Sequence, residues 1–237
     1  MSTTWIIIIC VFAGILLLLA LLAIANFSYD KFLNVYQKYD NIQINSRFSI
    51  IDYVNYLNNK YFNGKIRIVK IDKLAGDAYS SQTLFLSTNT LSKNSIASFT
   101  IVSHELGHAM QDKEGNKLKK LHKLKKIIRL LGFFMFPFLL AGALVLILNI
   151  SLLILGIILL SLGVLTFLFA LFIKIMTISI EKDASNKAIS FLKEITDTKQ
   201  VKKCKKFLKA ALLTYWGDFL RAIFGWTGLS KKSKLFN

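Results

Sequence analysis

Apolar residues fall mainly into two long tracts of this chain instead of recurring at the spacing of an amphipathic helix or strand. The first tract, residues 5–25, has no charged side chain, and a helix of that length can cross about 30 Å of hydrocarbon. It predicts a transmembrane anchor. The alternative is a cleaved signal peptide, since residues 23–25 resemble a cleavage site, but no Lys or Arg precedes the tract and it is long for a signal.

The second tract, residues 130–175, carries a single charge, Lys174, near its far end. It is about twice as long as one span requires, so it predicts a transmembrane helical hairpin. Asn149 and Ser151 are the most polar positions near its middle. We therefore place the turn there, with spans near residues 130–148 and 152–173.

Shorter patterns predict a folded region between the anchor and the hairpin. Residues 29–63 mix polar and apolar positions as one or two amphipathic helices do. Residues 64–71 alternate as a half-buried strand does, and a second short strand is predicted over residues 83–87, after a loop. A helix is predicted over residues 95–111, with Gly115 just beyond it as a stop signal.

Composition and charge narrow the class of protein further. The chain has 237 residues, 54% of them hydrophobic, and 31 Lys and Arg against 13 Asp and Glu. An apolar share this large exceeds that of ordinary soluble domains and indicates a membrane protein with basic parts outside the bilayer. Nearly all the positive charge is lysine, which is less suited than arginine to phosphate or base recognition, so no nucleic-acid partner is expected.

The positions of Lys and Arg predict the orientation in the membrane. None lies before the first tract or in the hairpin turn, 17 lie between Lys31 and Arg129, and 14 lie from Lys174 onward. Because positive residues favour the cytoplasmic side, we expect a multi-pass protein of the cell membrane with its N-terminus outside. The central and C-terminal regions are separated by two crossings, so both are expected in the cytoplasm.

The sequence HELGH at residues 104–108 is an H-E-x-x-H motif inside the predicted helix. Residues four apart lie on one helix face, so His104 and His108 can reach one metal ion, while Glu105 can act as a general base on water there. Zinc accepts imidazole nitrogen and carboxylate oxygen and leaves a fourth position open. The alternative is two unrelated histidines on one helix.

Spacing alone leaves the third ligand of such a site open. Glu181 and Asp183 lie just past the hairpin, on the same predicted side of the membrane as His104. Either carboxylate is within reach of the ion. Glu181 could also be a solvated acid at the membrane interface.

A resemblance to a known family rests on several segments in a fixed order: TLFLS at 83–87, SIA at 95–97, SHELGHAMQ at 103–111, a hydrophobic hairpin and EKDAS at 181–185. This order resembles the YugP-type family of membrane-bound neutral zinc metallopeptidases, which is similar to the HtpX and CAAX-prenyl-protease group. The resemblance implies Zn²⁺ as cofactor and Glu181 as the third zinc ligand beside His104 and His108. It also implies that Ser185 stands where an aspartate orients a zinc-bound histidine, a role that Asp183 could fill instead.

The features above predict a mainly α, integral membrane protein. Its expected parts are an N-terminal transmembrane anchor (1–27), a cytoplasmic zincin-like α+β catalytic region with a small sheet (28–129), a transmembrane helical hairpin (130–175) and a C-terminal helical region that supplies the third ligand (176–237). The expected function is a gluzincin-like zinc metalloendopeptidase with Glu105 as the catalytic residue and peptides or membrane proteins as substrates. The alternatives are a non-catalytic basic membrane scaffold with a vestigial zinc site and an intramembrane metalloprotease.

Two further segments and one strand carry additional expectations. Residues 116–129 combine spaced leucines and isoleucines with seven basic residues, which fits a helix at an anionic lipid surface. Residues 209–229 predict an interfacial or core helix instead of a fourth span, because charges interrupt them. Tyr215 in that segment is a candidate donor to the oxyanion. If residues 83–87 form the sheet edge, an extended substrate could pair with them.

Overall fold

The computed structural model describes residues 3–73, 76–148 and 150–224, and the protein is mainly helical. In chain order the helices of this described part are α1 (Thr3–Asp40), α2 (Ile50–Phe62), α3 (Thr88–Ser92), α4 (Ile96–Glu114), α5 (Lys117–Leu148), α6 (Leu153–Lys193) and α7 (Thr198–Phe224). The strands are β1 (Arg67–Ile71), β2 (Ala78–Ser80) and β3 (Thr83–Ser87). The predicted motif helix is α4, and it ends before Gly115 as expected.

The three strands form one small sheet in the order β1-β3-β2. β1 pairs with β3 in parallel, with Arg67 opposite Thr83 and Ile71 opposite Ser87, and β2 pairs with β3 antiparallel. The expectation that residues 83–87 form the sheet edge is wrong, because β3 is the central strand. The edge strand that lies against α4 is β2, within the segment predicted to be a loop.

The residues of the tight turn between β2 and β3 explain why the sequence did not predict this hairpin. Ser81 and Gln82 both have positive φ, 47° and 61°. Two-residue hairpin turns with positive φ normally use Asn or Gly, so Ser-Gln gives no turn signal. The backbone N–H of Gln82 donates to the hydroxyl of Tyr79 at 3.2 Å, a contact that helps to hold the turn.

The larger of two apolar clusters lies under the site and joins the sheet to α1, α2, α4, α6, α7 and the start of α5. α4 starts at a proper cap, since the Ser95 side chain accepts the backbone N–H of Ser98 at 3.0 Å. Its fully buried residues Phe99, Val102 and Leu106 point into this core. The position of the motif helix is therefore fixed by packing on several sides.

The apolar tract of residues 130–175 forms a helical hairpin with its turn where the sequence placed it. α5 ends at Leu148 and α6 begins at Leu153, with a short 3₁₀ turn over Ile150–Leu152, while Asn149 lies outside the described residues. A Cβ on Gly142 would lie 2.8 Å from the backbone nitrogen of Leu160, so glycine permits the close approach of the two helices.

α5 and α6 are long and apolar enough to cross a membrane by length and composition, and among the described residues no other helix meets that test. Large apolar side chains along both are exposed, including Phe133, Leu148 and Ile154. Such surfaces are compatible with membrane association. The predicted anchor lies in α1, but most of its side chains are outside the described residues, so that span stays a prediction.

The C-terminal helix α7 packs against the core over its described length. Cys204, Phe207 and Phe219 are buried, and the helix lies alongside α1. The predicted helix over residues 209–229 forms as far as Phe224, and over residues 209–220 one side of it is buried in the protein. Residues 225–229 lie outside the described part. The apolar face of the basic helix at the start of α5 also packs against the protein, because Leu118 and Leu121 are buried.

Candidate metal centre

α4 and α6 bring together the three side chains that the sequence proposed as ligands. His104 and His108 lie one turn apart on α4, and Glu181 lies on α6. The Nε2 atoms of His104 and His108 are 3.4 and 3.1 Å from the same carboxylate oxygen, Oε2 of Glu181. The ligand atoms of the three residues all lie within 4.8 Å of one another. Glu181 is 0% exposed, so its carboxylate meets only protein groups.

Hydrogen bonds at the back of each imidazole fix which nitrogen faces Glu181. The Nε2 amide of Gln111 donates to Ile180 O at 2.8 Å and Asp183 Oδ2 at 2.9 Å, so its Oε1 must accept from Nδ1 of His108 at 3.0 Å. A histidine with its proton on Nδ1 presents a lone pair at Nε2. Neutral His108 therefore offers an acceptor, and not a donor, to the centre of the site.

His104 is oriented in the same way by a serine of α6. The hydroxyl of Ser185 donates to the backbone carbonyl of Glu181 at 3.0 Å and so accepts from Nδ1 of His104, 3.3 Å away. Ser185 thus lies beside one of the two imidazoles, that of His104. Asp183 is not near the ligand atoms. It lies behind the site, where it accepts hydrogen bonds from Gln111 and Lys117.

Three lone pairs therefore converge, two from imidazoles and one from a carboxylate, with no donor between them. Such an arrangement is unfavourable unless a cation lies at its centre. Ligand atoms on a tetrahedral zinc ion with bonds of about 2.0–2.2 Å are separated by roughly 3.3–3.5 Å. The observed nitrogen-to-oxygen separations of 3.1 and 3.4 Å are close to that range, and all three ligand atoms lie within 4.8 Å of one another.

Protonation of His108 is the alternative way to satisfy this cluster. Burial lowers the pKa of His108, but hydrogen bonding to Glu181 and the nearby charge of Glu105 outweigh burial and raise it above its ordinary value. The site therefore attracts positive charge, whether a proton or a metal ion. This agrees with a cation-binding role for the cluster.

The outer oxygen of Glu181 is held by a second set of groups. The ammonium of Lys125, on α5, donates to Oε1 at 2.8 Å, and the hydroxyl of Tyr215, on α7, also hydrogen-bonds the carboxylate. Burial raises the pKa of Glu181, yet the contacts with His104, His108 and Lys125 hold it well below its usual range. The carboxylate is thus charged, with Oε2 turned toward the imidazoles.

Close packing of the two ligand helices depends on a glycine inside the motif. A Cβ on Gly107 would lie 2.4 Å from the carbonyl oxygen of Ala184 on α6. Because real side-chain carbons essentially never approach so closely, only glycine allows α4 and α6 this separation. Gly107 therefore sets the distance between the histidines and Glu181.

Glu105 lies beside the ligand cluster and is held by the edge strand. Its Oε2 accepts the backbone N–H of Tyr79, on β2, at 2.9 Å. Burial raises the pKa of Glu105 above its ordinary value, although the neighbouring histidines lower it in part. Glu105 therefore faces the site as a carboxylate whose basicity is increased by its surroundings.

A cavity of about 330 Å³ opens onto these residues. Its polar end contains His104, Glu105, His108 and Glu181, together with Tyr79 of the edge strand. Its remaining wall consists mainly of apolar residues of α1, α5 and α7. The arrangement can therefore hold a metal ion, a carboxylate base and an organic substrate in one space.

Sequence reasoning missed three groups of this site. Gln111 carries a local signal, because it lies three residues after His108 on the same helix face and is a polar residue in a buried position. Lys125 carries none, since it is one of many lysines in its helix, and neither does the backbone N–H of Tyr79. Tyr215, proposed as an oxyanion donor, lines the cavity but contacts Glu181 in this structure.

Comparison with known protein families gives a match over most of the chain. The model of a protein family described as "putative neutral zinc metallopeptidase" matches residues 9–228, which is most of the chain. No curated protein and no solved structure matches the chain significantly. The family description implies Zn²⁺, and the group of His104, His108 and Glu181 supplies a set of residues that could hold it.

Proposed function

Since the chain belongs to this family of neutral zinc metallopeptidases, we propose that it is a membrane-anchored, gluzincin-like zinc endopeptidase. The observation that supports this most directly is the convergence of three oriented acceptors from His104, His108 and Glu181, with the carboxylate of Glu105 beside them. A purely structural zinc site is closed by its ligands and does not need a base next to it. A carboxylate base facing a cavity is what hydrolysis requires.

Zinc bound by these residues would lower the pKa of water toward 7 and polarise the scissile carbonyl. The proton transfers of the reaction are assigned to Glu105. The Tyr79 N–H holds Oε2 of Glu105, which leaves Oε1 to accept the proton of the attacking water. Glu105 then delivers that proton to the nitrogen of the leaving amine. Its raised pKa makes it a better base for the first step.

The edge of β2 offers a place for the substrate backbone. Tyr79 lies opposite Leu84 in the antiparallel pair, and its N–H points to Glu105, away from β3. In such a pair the N–H and C=O of one residue point to the same side, so the Tyr79 carbonyl also faces the free edge. We expect a substrate N–H to donate to this carbonyl, which aligns an extended peptide beside Glu105.

Membrane insertion of the hairpin is part of the proposal. Labelling with a membrane-impermeant maleimide tests it, in a chain whose native Cys10 and Cys204 are replaced by serine. Ser151→Cys should react in intact cells, whereas Lys182→Cys should react only after the membrane is permeabilised. Labelling of both positions in intact cells would contradict the cytoplasmic position of the site. If the site is cytoplasmic, the exposed lysines of residues 117–129 face the anionic inner leaflet.

Metal analysis combined with peptide hydrolysis tests the enzymatic role. We expect wild-type protein in lipid nanodiscs to retain zinc and to cleave quenched fluorescent peptides, and Glu105→Gln to retain zinc but lose activity by about 10²–10⁴-fold. The matched control is Glu114→Gln, the same change on the same helix at an exposed residue that pairs with Lys187. Equal activity, or none, in all three proteins would favour the basic scaffold over the enzyme.

A further inference from the structure

The cavity beside the metal centre continues into an apolar recess. Its wall is formed by side chains of α1, α5 and α7: Phe32, Leu33, Leu118, Leu121, Phe207, Leu208, Ala211 and Leu212. Phe32, Leu121 and Phe207 are at most 3% exposed, so this part of the wall lies in the protein interior. It shares its opening with His104 and Glu105.

The charged side chains that line the cavity are Asp77, Glu105, Lys125, Glu181 and Asp218, and the imidazole of His122 lies beside Leu121 of the apolar wall. Lys125 is already paired with Glu181 at 2.8 Å, and Asp218 accepts a hydrogen bond from the hydroxyl of Tyr29. The eight apolar side chains named above offer neither a hydrogen bond nor an opposite charge to a charged side chain that contacts them. Burial of an unpaired charge is far more costly than burial of an apolar group. The recess therefore discriminates by polarity.

The edge strand determines how a peptide would meet this recess. Gly76, Asp77, Ala78 and Tyr79 line the same cavity as the apolar wall. Side chains of an extended peptide point alternately to opposite faces, so a chain paired with β2 directs every second side chain toward the interior. A side chain next to the bond beside Glu105 would then be directed toward the recess.

We propose that this recess is the specificity pocket of the enzyme and that it takes a large apolar side chain, aliphatic or aromatic, of the residue that flanks the scissile bond. The inference rests on the proposed peptidase function. The cavity volume of about 330 Å³ is shared between the reacting groups and this side chain. Peptides with an acidic or basic residue at that position are disfavoured, because the apolar side chains of the wall offer no partner to a charge.

Two substitutions on α7 change the recess in opposite directions. Ala211→Leu fills it, and Leu212→Ala enlarges it. The matched control is Leu213→Phe, because Leu213 is an exposed residue of the same helix that does not line the cavity. General damage to α7 would lower activity for all peptides alike, whereas opposite shifts in preferred size identify the pocket.

The experiment compares kcat/KM for quenched peptides that differ only in residues next to the cleaved bond. We expect Phe or Leu at one flanking position to exceed Asp or Lys by about tenfold or more. Ala211→Leu should move the preference toward Ala, Leu212→Ala toward Trp, and Leu213→Phe should leave it unchanged. Cleavage without an apolar preference, or with a preference unaffected by both changes, would overturn the pocket while leaving the peptidase function intact.

Binding provides a reading that does not depend on turnover. In Glu105→Gln protein loaded with zinc, a hydroxamate with a benzyl side chain should bind at least about tenfold more tightly than one with a carboxymethyl side chain. Ala211→Leu should remove that difference. If hydrolysis is absent but this selectivity is present, the proposed function fails and the apolar pocket stands. Equal binding of the two hydroxamates would overturn the pocket in either case.

Discussion

Replacement of Gly107 by alanine should separate the two helices that carry the ligands. The added Cβ would lie 2.4 Å from Ala184 O, whereas ordinary contacts begin at 3.4 Å, so the helices must move apart locally by about 1 Å. Metal sites tolerate deviations of only about 0.2 Å in ligand distance. The histidines stay on α4 while Glu181 stays on α6, so the shift falls on the imidazole-to-carboxylate distance.

Two effects of known size oppose each other in this variant. Alanine is favoured over glycine inside a helix by about 1 kcal/mol. Overpacking of a tight interface costs about 1–3 kcal/mol. We expect the packing cost to dominate, so that the free energy of unfolding falls by up to about 2 kcal/mol. Zinc affinity should fall by more than the 10–100-fold typical of a lost outer-shell contact.

The assay is a zinc titration in competition with a chromophoric chelator, combined with the melting temperature of the metal-free protein. Gly142→Ala is the matched control, because its Cβ would lie 2.8 Å from Leu160 N in the hairpin, away from the ligands. That variant should melt earlier but bind zinc as the wild type does. If Gly107→Ala retained wild-type zinc affinity, the argument that this glycine sets the ligand spacing would be refuted.

Three other changes test separate contacts. Lys125→Met removes the hydrogen bond to Oε1 of Glu181 and should lower peptidase kcat about tenfold while zinc remains bound, because outer-shell contacts orient the ligands. An unchanged kcat would count against an orienting role of Lys125. Tyr215→Phe should lower kcat more than it weakens zinc binding if the hydroxyl serves the oxyanion, and the reverse ratio would restrict it to holding Glu181. Burial raises the pKa of Glu194, but hydrogen bonds from Lys60 and nearby tyrosines outweigh burial and lower this pKa overall. The charged Glu194 therefore stabilises the fold at pH values above the ordinary Glu pKa, and this stabilisation is lost as the pH falls through the lowered pKa. Glu194→Gln should therefore flatten the fall in melting temperature between neutral and acidic pH, and parallel curves would contradict the pairing.

Much of the site was accessible from the sequence because its signals are local. The four-residue spacing of His104 and His108 places both on one helix face whatever the helix packs against. The stop at Gly115 and the hairpin turn near residue 151 likewise follow from neighbouring residues. Glu181 required the family resemblance, because spacing alone did not separate it from Asp183.

The positions of Glu181 and Asp183 around the axis of α6 show which of the two acids faces the imidazoles. Glu181 and Asp183 lie two residues apart on one continuous helix, so their side chains point about 200° apart around its axis. Only Glu181 faces the imidazoles, and Asp183 turns to Gln111 and Lys117. Which of the two faced α4 depended on how α6 is rotated, and that rotation is set by packing.

The amino-acid sequence by itself determined the motif helix, the apolar hairpin and the types of residue available for zinc. Tertiary structure alone decided that β3 is the central strand, that β2 borders the site, and that Lys125 and Gln111 hold the ligands. Helical periodicity and turn chemistry act over a few residues and leave a readable pattern. Strand order and contacts between distant helices arise from the packing of the whole core, which no short segment encodes.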